Sequence, residues 1–298
     1  MKGKQRRNIK NYLFILPIML MFLGLIVYPL IYNIVISFYE WNGISIEKKF
    51  NGIQNYIDVI QDPVFKKIVF NFVVFALICI IVQAFFGLIF ASFFIRKIRF
   101  SGIYRILFYL PVIATPTIVG NIFSKIFETN RGYLNELLRF VGLDGLCQEW
   151  LADPQIALGG VIFVNIWQWT GYSMLMYYAN MLNIPDSLYE AATMDGASSV
   201  QQFVHISFPL LRGTHYTLFV MGVLGSLKCF DIPYVLTKGG PNYATEFFST
   251  YIYTKSFDLF KQGQASALTV IMLMIALIIT AIQLKLYFKD DKDKELAG

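Results

Sequence analysis

Six long apolar stretches constrain this chain more than any other feature of its sequence. Each holds about 20 or more mostly apolar residues, the length that a helix needs to cross the roughly 30 Å hydrocarbon core of a bilayer. Unpaired backbone groups are too costly inside hydrocarbon, so each stretch is expected to be helical. The stretches are 13–37, 68–95, 106–127, 157–182, 214–236 and 265–288. The sequence therefore predicts an all-α membrane protein with about six transmembrane helices, a transmembrane domain at 13–288, and short tails at 1–12 and 289–298.

Composition supports the same class. Only 15% of the 298 residues are charged, whereas soluble domains carry roughly a quarter. The formal charge is +6, but the basic residues lie in separate short clusters, which argues against nucleic acid as a partner. Cys79, Cys147 and Cys229 are far apart and lack metal-site spacing, so neither a disulfide framework nor a metal site is expected. The first apolar stretch exceeds the roughly 7–15 residues of a signal-peptide core, which predicts an uncleaved span.

The distribution of lysine and arginine predicts the orientation. Basic clusters occur at 2–10, 96–105 and 289–294. With six spans, all three clusters lie on one side of the membrane, and that side is predicted to be the cytoplasm. Both termini are therefore expected to be cytoplasmic.

The segment between spans four and five, 183–212, contains almost no basic residues. Ser187 and Glu190 have the spacing of a capping box at a helix start. Asp195-Gly196 is a turn pair, because glycine adopts positive φ at little cost. Ser198 or Ser199 can cap a second short helix. The pattern predicts a helix–turn–helix at the cytoplasmic surface.

The same segment carries a resemblance to a known family. Its residues Glu190-Ala191-Ala192 and Asp195-Gly196-Ala197, followed by Phe203, Ile206 and Pro209, resemble the E-A-A…D-G-A loop of binding-protein-dependent ABC transporter permeases. Gly213 departs from the family pattern, which commonly has proline there. The carbohydrate branch, that of maltose and multiple-sugar permeases, is the most similar. Supporting stretches are Gly52-x-x-Asn55-Tyr56, Asp62-Pro63, Leu110-Pro111, Trp167-x-x-Thr170-Gly171, Phe230-Asp231, Leu236-Thr237-x-Gly239-Gly240-Pro241 and Gly263-x-Ala265-Ser266-Ala267.

The resemblance implies that 183–212 is a coupling loop seated in a cleft of a cytoplasmic ATPase. The coupling residues would be Glu190, Ala191, Ala192, Asp195, Gly196 and Ala197. It also implies a bacterial plasma-membrane location, a second permease subunit, usually in a heterodimer, two ATP-binding subunits and an extracellular substrate-binding protein. ATP and Mg would bind in the partner subunits, with no cofactor in this chain. The alternative is an ordinary amphipathic helix on the lipid headgroups, although such helices usually carry lysines on the polar face.

Candidates for a sugar path combine aromatic faces with hydrogen-bonding side chains at membrane depth. Lys228 and Asp231 are three residues apart on one helix face and could pair. The alternatives are that the tryptophans belong to an interfacial belt and that Lys228 reaches the surface. In the outer loop, the resemblance implies that Gly239, Gly240 and Pro241 meet the binding protein, whereas a simple turn would have the same composition. The path candidates are Trp167, Gln168, Trp169, Tyr172, Lys228 and Asp231.

The sequence lacks three common catalytic signatures. The sequence has no G-x-x-x-x-G-K-[ST] phosphate loop, no H-E-x-x-H and no G-x-S-x-G, the patterns typical of nucleotide, zinc and acyl-transfer chemistry. The chain is therefore predicted not to be an enzyme by itself. The leading hypothesis is a permease subunit of an ATP-driven importer for a sugar or oligosaccharide. The alternatives are the same machinery for glycerol phosphate or another polar solute, and an independent secondary transporter.

Overall fold

The computed structural model describes residues 15–95 and 100–295, with side chains described through residue 285. The predicted basic clusters at 2–10 and 289–294, and most of the one at 96–105, lie outside the residues or side chains described. Helices dominate, and a two-stranded hairpin pairs β1 (Tyr39–Glu40) with β2 (Lys49–Phe50). The helices are α1 (Ile15–Ile36), α2 (Gln54–Gln61), α3 (Pro63–Phe94), α4 (Ser101–Ile113), α5 (Pro116–Ile126), α6 (Tyr133–Phe140), α7 (Ala157–Met181), α8 (Asp186–Met194), α9 (Ser199–Gln202), α10 (Phe208–Leu210), α11 (Arg212–Leu227), α12 (Asp231–Thr237), α13 (Phe248–Tyr253) and α14 (Gln262–Glu295).

The chain divides into two compact units, and the first comprises residues 1–62 and 252–274. A buried polar network holds this unit together. Asn55 is buried and donates from Nδ2 to the carbonyls of Ser37 and Tyr39, each at 2.9 Å. Lys255 is also buried and lies 2.9 Å from the Asp62 carboxylate. Because a charge buried without a partner is costly, this ion pair fixes the two segments of the unit to each other.

The second unit comprises residues 63–251 and 275–298. Its centre is α7, which packs closely against α3 and α4. A side chain at Gly87 of α3 would collide with Ser173 and the backbone of Met174, so glycine permits the α3–α7 contact. One core cluster combines α3, α5, α7 and α12, and includes Phe75, Phe123 and Val161. A second cluster, around Tyr177, joins the other end of α7 to α3 and α11. Both clusters position the residues of the site described below.

The number of membrane spans is only partly settled by helix length and apolarity. Within the described ranges, three helices satisfy both criteria, at Ile15–Ile36, Pro63–Phe94 and Gln262–Lys285, and two bent helix pairs raise the total to five. The predicted fourth span, α7, is 25 residues long but is not among them. Several of its polar side chains, including Gln168 and Ser173, are buried in protein, where polar groups do not have to meet lipid. The six-span count remains a prediction.

The predicted third span at 106–127 is broken. The chain forms α4 and α5 there, with axes 92° apart. Ala114 and Thr115, between them, have extended backbone with ψ of 137° and 141°. The cause is Pro116, since a proline disfavours helical backbone in the residue before it. Thr115 then caps α5 by accepting a hydrogen bond from Ile118 N–H at 3.4 Å.

The predicted fifth span at 214–236 is also interrupted. It consists of α11 and α12, which are bent by 43°. Pro233 lies in the first turn of α12, and its ring would clash with the carbonyl four residues earlier if the helix were continuous. That carbonyl belongs to Cys229, which lies in the break. Lys228 and Asp231 therefore flank a break instead of sharing one helix.

Candidate functional site

The segment 183–212 forms the predicted helix–turn–helix. Gly196 ends α8 with φ of +78°, as expected for the turn. Its N–H donates to Thr193 O at 3.0 Å, and Ala197 N–H donates to Ala192 O at 2.9 Å. These two bonds are those of a Schellman motif, in which a left-handed residue satisfies the last helical carbonyls. The turn is therefore defined by backbone hydrogen bonds around a residue that favours glycine.

The capping of the two helices differs in part from the prediction. Of the two serines predicted to cap α9, Ser198 is the one that does so, and it forms a full capping box with Gln201. The predicted capping box of Ser187 and Glu190 was wrong, because α8 begins at Asp186 with Pro185 as its N-cap and has no side-chain cap bond. Ser187 is already helical there, so its hydroxyl is past the capping position.

The two helices of this segment are fixed to each other. Gln202 Nε2 donates to Thr193 Oγ1 at 3.0 Å and to Ala197 O at 3.3 Å. Glu190, Ala191, Asp195 and Gly196 are exposed, and Ala192 and Ala197 are half-buried. Large apolar side chains beside them are also exposed, with Met194 at 88% and Val200 at 71%. Exposed apolar side chains of this size are typical of a surface that meets a partner.

A cavity of about 420 Å³ lies in the second unit. Its wall combines α3, α7, α11 and the α11–α12 break. Four of the six predicted path residues line it: Trp169, Tyr172, Lys228 and Asp231. The two aromatic rings meet edge to face, with centroids 6.4 Å apart. Buried or half-buried polar side chains complete the wall, among them Gln83, Asn165, Ser173 and Ser226.

Gln83 was not among the predicted path residues. It is half-buried in α3, and its Nε2 donates to Asn165 Oδ1 at 2.9 Å and to Asn165 O at 3.3 Å. The signal was present in the sequence, because Gln83 is an isolated amide in a long apolar stretch. Polar residues in such stretches usually face a protein interior or a cavity.

The two remaining path candidates do not line the cavity. Trp167 is 45% exposed and packs edge to face on Phe123. Gln168 is fully buried and donates from Nε2 to Ala114 O at 3.0 Å. That carbonyl lies at the break between α4 and α5 and has lost its helical partner. Gln168 therefore stabilises the broken third span and does not line this cavity.

The predicted ion pair between Lys228 and Asp231 was also wrong. Lys228 follows the last residue of α11, and Asp231 begins α12. Both side chains are exposed, and among the described side chains the two form no ion pair with each other. They face the same cavity as separate charges of opposite sign.

The outer loop is more ordered than a simple turn requires. Gly239 is buried with φ of +81°, and a side chain there would overlap the Glu246 carboxylate. Thr245 Oγ1 donates to Gly240 O at 2.7 Å. Gly240 and Pro241 are half-buried, so the exposed side chains of the loop are its neighbours Lys238, Asn242 and Tyr243.

Comparison with known proteins decides the family. The family described as the binding-protein-dependent transport system inner membrane component matches residues 83–289, which include the helix–turn–helix and most of the residues that line the cavity. The chain belongs to this permease family. Membership matches the resemblance carried by the 183–212 segment, and it disfavours an independent secondary transporter.

Relatives of the permease cover nearly its whole length. A probable ABC transporter permease protein of Bacillus subtilis, YurN, is 39% identical over 97% of this chain and 99% of its own length. The lactose transport system permease protein LacF of Rhizobium radiobacter is 31% identical over 92% of this chain and 93% of its own length. A solved structure of a bacterial ABC transporter that imports the acidic polysaccharide alginate matches with a TM-score of 0.84 and 22% identity. The match covers 96% of this chain and 98% of the chain in that structure. At that identity, the likeness supports the fold of the permease.

Proposed function

We propose that this permease forms part of the translocation path for a sugar or oligosaccharide in an ATP-driven importer. The cavity is the observation that carries the proposal. Trp169 and Tyr172 offer aromatic faces, and the Gln83–Asn165 pair offers amide groups within the same wall. A mostly apolar cavity with a few convergent polar groups is typical of small-molecule sites. Relatives named for lactose and for trehalose and maltose transport support the substrate class.

The charges of the cavity favour an uncharged solute over glycerol phosphate. Among the described residues that line it, Lys228 and Asp231 are the charged ones. A phosphate ester needs several cationic or N–H donors around its oxygens. One lysine with a carboxylate beside the same cavity supplies no net positive charge. A neutral, hydroxyl-rich substrate fits this wall better.

The partners follow from the same proposal. The exposed surface of α8 and α9 would dock on one of two ATP-binding subunits through Glu190, Ala191, Ala192, Asp195, Gly196 and Ala197. ATP and Mg would bind in those subunits, since the relatives of this chain are permease subunits. A second permease would complete the path. A binding protein would deliver the substrate at the Gly239–Gly240–Pro241 loop. The use of a binding protein is supported by a structurally similar alginate transporter that was solved with its periplasmic protein.

Trp169→Ala is expected to reduce uptake about tenfold, because the cavity loses an aromatic wall whose burial is worth on the order of 1–3 kcal/mol. Trp167→Ala is the matched control, since that ring lies two residues away in the same helix but outside the cavity. Uptake is measured with the assembled transporter in proteoliposomes, with the binding protein present and permease content equalised. Equal uptake by the two variants would remove the cavity from the proposed path.

Orientation is tested by accessibility. In a background without Cys79, Cys147 and Cys229, we expect Asn51→Cys and Asn242→Cys to react with a membrane-impermeant thiol reagent in intact cells. Ser198→Cys should react only after the membrane is opened, because 183–212 is proposed to be cytoplasmic. Labelling of Ser198→Cys in intact cells would reverse the topology and contradict the coupling role.

A further inference from the structure

Helix α6 presents an apolar face that the described residues of the chain leave uncovered. Tyr133, Leu137, Phe140 and Val141 are all exposed, and Phe140 reaches 88% exposure. At about 100° per residue, these four positions fall within roughly 100° of one another around the helix. An apolar arc of this width normally packs against something.

The rest of the helix surface divides into two further arcs. Leu134, Asn135 and Leu138 turn toward the protein, where Asn135 is buried and Leu134 packs on the core cluster that contains Phe123. Glu136 and Arg139 form an exposed polar arc. The helix therefore has three faces: one packs on the protein, one is polar and exposed, and one is apolar and exposed. This is the pattern of a helix that lies in a membrane interface, with high amphipathicity and low net hydrophobicity.

A saturated hydrogen-bond network fixes the rotation of α6. Asn135 Nδ2 donates to Thr129 O at 3.0 Å and to Gln148 O at 2.9 Å. Its Oδ1 accepts from Trp150 Nε1 at 2.8 Å and from Gln148 N–H at 3.3 Å. Because all four capacities of the amide are used, rotating the helix to hide its apolar arc would break a buried network.

The end of α6 is fixed as well. Gly142 has φ of +76°. Gly142 N–H donates to Arg139 O at 3.0 Å, and Leu143 N–H donates to Leu138 O at 2.8 Å. These bonds form a Schellman motif that closes the helix. The loop beyond it adds exposed Leu143 and Leu146 to the apolar surface.

The position of α6 indicates what covers this surface. Six residues separate the end of α5 at Ile126 from Tyr133, a reach of at most roughly 25 Å. Leu134 and Trp150 pack on the core cluster that contains Phe127, at the end of α5, and Val161 of α7. Beside this cluster, Phe163 of α7 is exposed and contacts Phe127. Helix α6 therefore lies beside the ends of α5 and α7, which belong to the predicted third and fourth spans.

We propose that α6 is an interfacial anchor whose Tyr133–Leu137–Phe140–Val141 face lies among the lipids of the adjoining leaflet. The residues 128–153 carry five acids and two arginines, so attraction to anionic lipid does not drive the contact. The contact is instead driven by burial of apolar side chains at the boundary between lipid headgroups and acyl chains. The anchor would set the depth of the segment between α5 and α7 relative to the bilayer.

The test uses the assembled transporter in nanodiscs of phosphatidylcholine. Phe140→Cys and Arg139→Cys, each made in a background without native cysteines, are labelled with the environment-sensitive fluorophore NBD. Replacing a fraction of the lipid with 5-doxyl phosphatidylcholine should quench the label at 140 at least about twofold more than the label at 139, because only position 140 faces the acyl boundary. The unlabelled wild-type chain provides a second readout. A lipid-soluble aryl diazirine should modify the peptide containing residues 133–146.

Equal quenching at positions 139 and 140, or absence of diazirine modification in 133–146, would overturn the proposal. Shielding of position 140 that requires the added binding protein, without quenching by doxyl lipid, would identify a protein partner and also contradict lipid anchoring. Neither readout depends on which solute the importer carries, so this proposal and the proposed function can fail separately.

Discussion

Ala192→Glu and Gly196→Val are each expected to abolish uptake while the permease remains in the membrane at near-normal level. Gly196 has φ of +78°, and no atom of the described residues lies within 4 Å of the position of an added Cβ. The damage from valine is therefore conformational and not steric. A β-branched residue held in the left-handed region costs about 1–3 kcal/mol, so the turn would relax and move α8 against α9.

Ala192→Glu acts differently on the same surface. Ala192 is half-buried, and its carbonyl accepts the Ala197 N–H that closes the turn. A small side chain there permits close approach by a partner. A carboxylate would have to be desolvated on docking without a partner, at a cost of about 1–3 kcal/mol or more. Both changes should therefore reduce co-purification of the ATP-binding subunits.

Two controls separate coupling from general damage. Gly196→Asn keeps a residue that tolerates positive φ, so it should retain most uptake. Asn183→Glu adds the same charge to an exposed position of the same segment, outside the helix pair, and should be close to wild type. The measurements are uptake and recovery of the ATP-binding subunits, both normalised to permease in the membrane. Normal values for Ala192→Glu and Gly196→Val would show that this loop does not couple the permease to the ATPase.

The loop was predictable from sequence because its determinants are local. A glycine after a short helix, followed by a serine and a glutamine three residues apart, specifies both turn and cap within a few residues. The wrong prediction of a capping box at Ser187 also concerns residues that are close together in sequence. Two candidate starts, Pro185-Asp186 and Ser187-x-x-Glu190, lie within one turn, and spacing alone does not choose between them.

The breaks in spans three and five were harder to predict. The mean hydropathy of a segment depends only on its amino-acid composition, so it does not show where the helix axis changes direction. Pro116 and Pro233 are the local signals, but proline also occurs in continuous membrane helices when neighbouring groups satisfy the freed carbonyl. At the third span, the break leaves the Ala114 carbonyl without its helical partner, and Gln168, which bonds it, lies 54 residues away in the chain. The predicted pairing of Lys228 with Asp231 failed for the same reason, since it assumed an unbroken helix.

The cavity residues show a further limit. Trp167 and Trp169 are two residues apart, which places them about 200° from each other around a helix. The sequence thus indicates that only one of them can face a given cavity. Which one does so depends on how α7 packs against α3, and that contact is set by Gly87 and Ser173. Tertiary packing of this kind leaves no short-range pattern in the sequence.

Gly171→Ala is expected to destabilise the permease strongly, although it adds a single methyl group. An added Cβ would overlap the Phe108 carbonyl oxygen and approach the Phe108 C and Tyr109 Cα atoms at 2.9 and 3.1 Å. These are backbone atoms, so no side-chain rotation relieves the collision and α4 must move away from α7. Gln168 lies on the same face of α7, three residues earlier, and would be drawn away from Ala114 O. Overpacking of this kind costs about 1–3 kcal/mol, or more where the backbone must shift.

The matched control is Gly159→Ala in the same helix, where no atom in the described part of the chain lies within 4 Å of the new Cβ. Alanine favours helix over glycine by roughly 0.5–1 kcal/mol, so this change should leave stability unchanged or raise it. The two substitutions are chemically identical, and their expected effects have opposite signs because only one position faces the α4 backbone. The measurement is the thermal melting temperature of the purified transporter, together with the abundance of permease in the membrane. Equal melting temperatures for the two variants would contradict the close α4–α7 crossing on which the broken third span, and with it the Pro116 side of the cavity, depends.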